Sequence, residues 1–149
     1  MEKIYRLAKI FFQWVTNTLE EQDGVNTFET YLSDANGGYG FSWLFLVLVI
    51  VSLLTAVIFY YGIAQSSSNA TKKNYVITSL LGLITMLVLN FVVVFLFCDW
   101  SNCFTSGNMW KICAIDVAYY FILFEVWSLL VKGKSKANTI DWISIIFNK

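Results

Sequence analysis

Two carboxylates, Asp116 and Glu125, stand inside an otherwise apolar run, "CAIDVAYYFILFEVWSLLV", at residues 113 to 131. An acid in such a run does one of two things. It holds a proton or cation on a path through the protein, or it serves as a protonated carboxyl that hydrogen-bonds neighbouring helices together. The polar residues of two other apolar runs set the possible partners. Counted at about 1.5 Å per residue from outer ends at residues 41, 97 and 113, Ser52, Thr55, Thr85 and Glu125 fall in one layer roughly 16 to 21 Å down. On the same count Asn90 lies about 10 Å down and Asp116 close to the outer surface. A structural Glu125 is expected to bond Thr85 or Ser52. A conducting one would face water or a cation, and Lys132, two turns along on nearly the same face, is too far for direct contact without water.

Other chemistry is narrower. Histidine is absent, which excludes imidazole metal sites, histidine general bases and Ser/His or Cys/His nucleophilic pairs. The three cysteines, Cys98, Cys103 and Cys113, are spaced C-x4-C-x9-C, which is no zinc pattern. In an oxidising compartment Cys98 can pair with Cys103 across "DWSN"; otherwise all three act as small apolar residues. No metal and no cofactor is expected, and the missing catalytic set argues for a non-enzyme. Ten acids balance ten bases, so there is no basic surface for nucleic acid.

The tripeptide Gly38-Tyr39-Gly40 matches part of the potassium-channel filter, but the filter reading fails on context. A filter needs Thr-Val before the glycine and an outer spanning helix before that. Here the preceding residues are "DANG" and nothing before Gly38 is long enough to span. The glycines at 37, 38 and 40 read as a hinge, with Tyr39, Phe41 and Trp43 as the aromatic belt of the helix that follows.

These residues are positioned by a chain that is 58% hydrophobic and 13% charged, a balance that makes the bilayer its solvent. Three apolar runs, 41–64, 75–97 and 113–131, are long enough to cross a hydrocarbon core, and backbone pairing in lipid requires them to be α-helices. The fold class expected is all-α integral membrane: three transmembrane helices with an N-terminal and a short C-terminal amphipathic, interfacial helix. Its parts are an arm and hinge over 1–40, a three-span domain over 41–131 and a basic, amphipathic tail over 132–149. In the arm, Arg6, Lys9, Gln13, Thr16 and Glu20 form a polar stripe opposite Ile4, Leu7, Ala8, Phe11, Trp14, Val15 and Leu19. Arg6 and Lys9 with Phe11 and Trp14 suit a helix in the headgroup plane, an arm packed on a neighbouring subunit, or a segment 4–19 that crosses. In the tail, Ile140, Ile143 and Phe147 oppose Asp141, Ser144 and Asn148, with Asn138 as the expected N-cap. Ser79, Gly82 and Thr85 or Met86 give the second span a small-residue seam.

Lys72, Lys73, Lys132, Lys134 and Lys136 flank one side of the spans and only Lys111 the other. Cytoplasmic flanks collect lysine, so the N-terminus is expected outside and the C-terminus in the cytoplasm of a bacterial inner (plasma) membrane. No cleavable signal is visible in the first 30 residues. The expected partners are the lipid bilayer and other membrane-protein subunits or further copies of this chain. Two functions fit: a non-enzymatic anchoring or assembly subunit of a larger membrane complex, or a homo-oligomeric ion- or proton-conducting channel using Glu125. Holin-like, toxin-like and immunity-type membrane proteins belong with the second.

Overall fold

A computed structural model describes residues 40–66, 68–97 and 108–147, together with 3, 4, 6–8 and 10. The regular structure among them is helical: α1 (Gly40–Val57), α2 (Lys72–Phe97), α3 (Asn108–Val131) and the short α4 (Trp142–Phe147). Among the described residues three stretches are long and apolar enough to cross a membrane: Gly40–Gln65, Lys72–Leu96 and Met109–Val131. The chain is thus an all-helical membrane protein with three candidate spans.

Two of these helices start earlier than the expected runs 75–97 and 113–131: α2 takes in a polar first turn, and α3 reaches back past Lys111 to the apolar Met109 and Trp110. Thr71 caps α2: its Oγ1 accepts the Asn74 N–H at 3.2 Å, so Lys72, Lys73 and Asn74 form the first turn. Helix α3 begins at Asn108, not at residue 113, taking in Met109, Trp110 and Lys111.

The first span changes winding partway. In α1 the inward residues come as pairs, Val51 with Ser52 and Thr55 with Ala56, followed by Phe59 with Tyr60. Pairs repeating every four residues lag a helix of 3.6 residues per turn by about 40° per repeat. The wider π-helical turn Ile58–Gly62 takes up that lag, keeping Phe59 and Tyr60 buried. A 3-10 turn, Ile63–Gln65, then closes the span.

Contacts divide the chain into two compact units. The first is built from Met1–Leu48 and Leu87–Val117. Its core is Phe41 and Leu44 of α1, Val93 and Val94 of α2, and Met109, Ile112 and Cys113 of α3. Ala8 is buried in the same cluster. At that position the expected apolar face of the arm docks on this chain itself, while Leu7 and Ile10 stay exposed. Phe41, expected in an aromatic belt, is inside this core; Trp43 is exposed.

The second unit is built from Val49–Met86 and Ala118–Lys149. It packs closely at Gly82, where an added Cβ would overlap the Tyr120 hydroxyl and the Thr55 hydroxyl, and would lie 2.6 Å from Thr55 Cγ2. The Tyr120 hydroxyl is held there by donating to the Ser79 carbonyl at 2.9 Å. The small-residue seam is therefore consumed within the chain. It runs through Ser79, Gly82 and Met86, all buried, with Thr85 turned outward.

Outward faces carry large apolar side chains throughout the spans, among them Leu81, Ile84 and Val88 of α2 and Ile122, Val126 and Leu130 of α3. Such continuous apolar exposure suits lipid and not water. Gly82→Ala should destabilise the folded chain by about 1–3 kcal/mol through overpacking. Adding Tyr120→Phe should recover part of that loss by removing the overlapping hydroxyl. Denaturant unfolding in mixed micelles measures both; equal stability of Gly82→Ala and wild type would disprove the close approach.

Candidate functional site

Helix α4 has six residues, too few to be stable alone, so something else must hold its first turn. Its leading N–H groups have no partner within the helix. Asp141 caps it: Oδ1 accepts the Ser144 N–H at 2.6 Å, and Ser144 Oγ accepts the Asp141 N–H at 3.0 Å. This reciprocal pair is a capping box with serine in the third position. Asp141, and not Asn138, is thus the N-cap, because only Asp141 has a hydroxyl three residues on to return the bond.

The two remaining donors go to Glu125. Its Oε2 accepts the Trp142 N–H at 3.0 Å and its Oε1 accepts the Ile143 N–H at 3.2 Å. Oε2 also accepts from the Tyr75 hydroxyl at 3.2 Å. That hydroxyl is 3.1 Å from Ser128 Oγ as well; its single proton goes to the carboxylate, so Ser128 supplies the proton of the second bond. A carboxylate at the positive end of a helix is favourable, and here two of them share the task. Lys132 pairs with the free side of Asp141, through Oδ2. The lysine thus reaches the tail acid and leaves Glu125 to the backbone.

Aromatic rings enclose this network. Tyr75 lies with its ring centroid 5.0 Å from Phe59, 5.2 Å from Phe124 and 6.0 Å from Trp142. Tyr60, buried beside them, donates its hydroxyl to the Ile140 carbonyl. Its own carbonyl accepts from Ser135 Oγ at 2.9 Å, and the same Oγ accepts the Ala137 N–H at 3.2 Å. The tail is therefore fixed at Ser135, Ile140, Asp141, Trp142 and Ile143. Burial alone would raise the Asp141 carboxyl, but the Lys132 hydrogen bond, the Ser144 N–H and the Lys132 charge outweigh it and hold it below its ordinary value.

The layer expected around Glu125 does not form. Ser52 donates to its own helix, to the Val49 carbonyl, as Thr55 does to Val51 and Thr85 to Leu81. Thr85 is exposed. Hydroxyls that bond the carbonyl of the preceding turn need no partner across a helix interface. Asp116 also departs from expectation. It is fully buried, about two turns inside α3, and accepts from Asn90 Nδ2 at 2.5 Å through Oδ2. Its Oδ1 is buried with no hydrogen-bond partner among the described residues.

Arg6 is exposed, whereas Lys9, Phe11, Trp14, Cys98 and Cys103 lie outside the described residues. Cys113 is a free, buried thiol. Among the described residues no group of three metal-ligating side chains occurs. Tyr60, Tyr75 and Asp141 join Glu125 in the site; sequence reasoning missed the two tyrosines and read Asp141 only as part of the tail's polar face. Tyrosines near span ends read as interfacial anchors, and the only signal for another role was a lone Glu125 that needed donors.

Glu125→Gln offers one acceptor oxygen and sets an amide N–H₂ against a backbone N–H. The tail should loosen by about 1–3 kcal/mol, read as faster hydrogen exchange at the Trp142 and Ile143 amides. Tyr75→Phe should cost less, about 0.5–1.5 kcal/mol. Unchanged exchange in Glu125→Gln would remove Glu125 from this role.

For Asp141, the folded-state value lies below the usual carboxylate value of about 3.9. Its contribution is therefore complete above about pH 4, and it disappears as pH falls through the lowered folded value. Protection of the Ser144 amide, taken relative to its intrinsic exchange rate across that acid range, should fall in wild type. In Asp141→Ala, which removes the capping oxygen, the amide should already be poorly protected at neutral pH and lack this acid step.

Set against family models, curated proteins and solved structures, the chain matches none.

Proposed function

We propose that this chain is a non-enzymatic, multi-pass membrane subunit that anchors or assembles a larger membrane complex. The observation that carries the reading is the internal use of Glu125. Both of its oxygens accept from the α4 backbone, so the acid that best fitted a conduction path is spent on fixing the tail. The outward apolar faces of the spans supply lipid contact and surface for neighbouring subunits. Lysine placement supports a cytoplasmic tail and an outward N-terminus in an inner or plasma membrane.

One observation favours the second reading, a homo-oligomeric ion- or proton-conducting protein. It is the buried Asn90–Asp116 pair, whose Asp116 Oδ1 has no hydrogen-bond partner among the described residues. Three spans cannot enclose a wide aqueous pore, so conduction would need several copies around that pair.

Proteoliposomes loaded with a pH-sensitive dye separate the two readings. The assembly role expects no proton flux above protein-free vesicles for wild type, Glu125→Gln or Asp116→Asn. It also expects migration on native gels of the source membrane in a complex larger than any homo-oligomer of the purified chain. Wild-type flux abolished by Asp116→Asn or Glu125→Gln would overturn it.

A further inference from the structure

We propose that the cavity at the end of the first span binds the phosphate of an anionic phospholipid headgroup. This rests on the membrane-embedded reading and not on the assembly role. The cavity measures about 320 Å³ and is lined by Tyr60, Tyr61, Ala64, Gln65, Ser135 and Lys136. Its place along the chain sets its depth. Gln65 is the last residue of the first span, and Ser135 and Lys136 follow Val131, the last residue of the third, by about one turn. A lining at span ends sits where hydrocarbon gives way to headgroups.

The lining chemistry suits an anion. Lys136 is exposed and contributes an ammonium. Gln65 spends one Nε2 proton on the Tyr61 carbonyl and has a second to give. Tyr61, half exposed, contributes a hydroxyl. The other two polar residues form a fixed wall, because the Tyr60 hydroxyl is committed to Ile140 and Ser135 Oγ to the Tyr60 carbonyl. No carboxylate lines the cavity among the described residues.

The approach to the cavity selects a lipid over a free anion. Leu54, Ile58 and Tyr61 are exposed at successive turns of the first span and form an apolar ridge leading to the mouth. An acyl chain lies along such a ridge while its phosphate meets Lys136, Gln65 and Tyr61. Free phosphate gains nothing from it.

The test uses the full chain in bilayer nanodiscs of phosphatidylcholine mixed with phosphatidylglycerol, with retained lipids counted by native mass spectrometry. Wild type should retain phosphatidylglycerol preferentially. Lys136→Gln should lower that preference about fivefold, the effect of one lysine at an anionic surface. Gln65→Leu, which leaves the tail contacts intact, should lower it too. Lys73→Gln, which removes a lysine that does not line the cavity, should lower it less than Lys136→Gln does. Unchanged exchange of the Trp142 and Ile143 amides in Lys136→Gln would assign its loss to the cavity and not to a loosened tail. Equal retention of both lipids by wild type, or equal losses in Lys73→Gln and Lys136→Gln, would overturn the site. Displacement of the bound lipid by inorganic phosphate would overturn the lipid assignment.

Discussion

The second unit depends on the placement of one carboxylate against two backbone N–H groups. Helix α4 needs acceptors for its first turn, and Glu125 needs donors at a site it shares with aromatic rings. Each supplies what the other lacks, at 3.0 and 3.2 Å. The remaining contacts arrange themselves around this exchange. Asp141 can cap the third N–H because Glu125 has taken the first two, and Lys132 can neutralise Asp141 because Glu125 does not need it. Tyr75 adds a third donor to Glu125 while its ring packs against Trp142, so one residue serves the polar and the apolar parts of the contact.

The first unit handles buried polarity differently. Its buried acid Asp116 meets a carboxamide, Asn90, in place of a helix end. The contrast follows from what lies beside each acid. Glu125 stands near the end of α3, within reach of a returning segment, and Asp116, about two turns from the start of α3, bonds a side chain of the neighbouring helix. Two acids on one apolar helix thus perform unlike tasks, which their shared residue class does not reveal.

Hydropathy made the spans legible, since length and apolar content are read directly along the chain. Depth was legible only where boundaries were. Placing the start of α3 at residue 113 in place of 108 moved Asp116 outward by about 7 Å, enough to turn a buried acid into an interfacial one. Rotation about the helix axis was not legible at all. Thr85 has the right depth to meet Glu125 and the wrong face, and its hydroxyl is satisfied by its own helix. The cap was half legible. Both Asn138 and Asp141 are capping residues, and Ser144 decided between them only once the tail's path past Tyr60 fixed where the helix could start.

The π-helical turn at Ile58–Gly62 bears on how this sequence can drift over evolutionary time. A π turn is in effect one residue more than the α-helix requires, held in place because it keeps Phe59 and Tyr60 inward. Losing a single residue there would leave an unbroken helix and an equally apolar span. It would also rotate everything beyond by about 100°, carrying Tyr61, Ala64 and Gln65 to another face. Length variation in this span should therefore be purged although hydropathy permits it, while the outward positions Leu54 and Ile58 remain free to exchange among apolar residues.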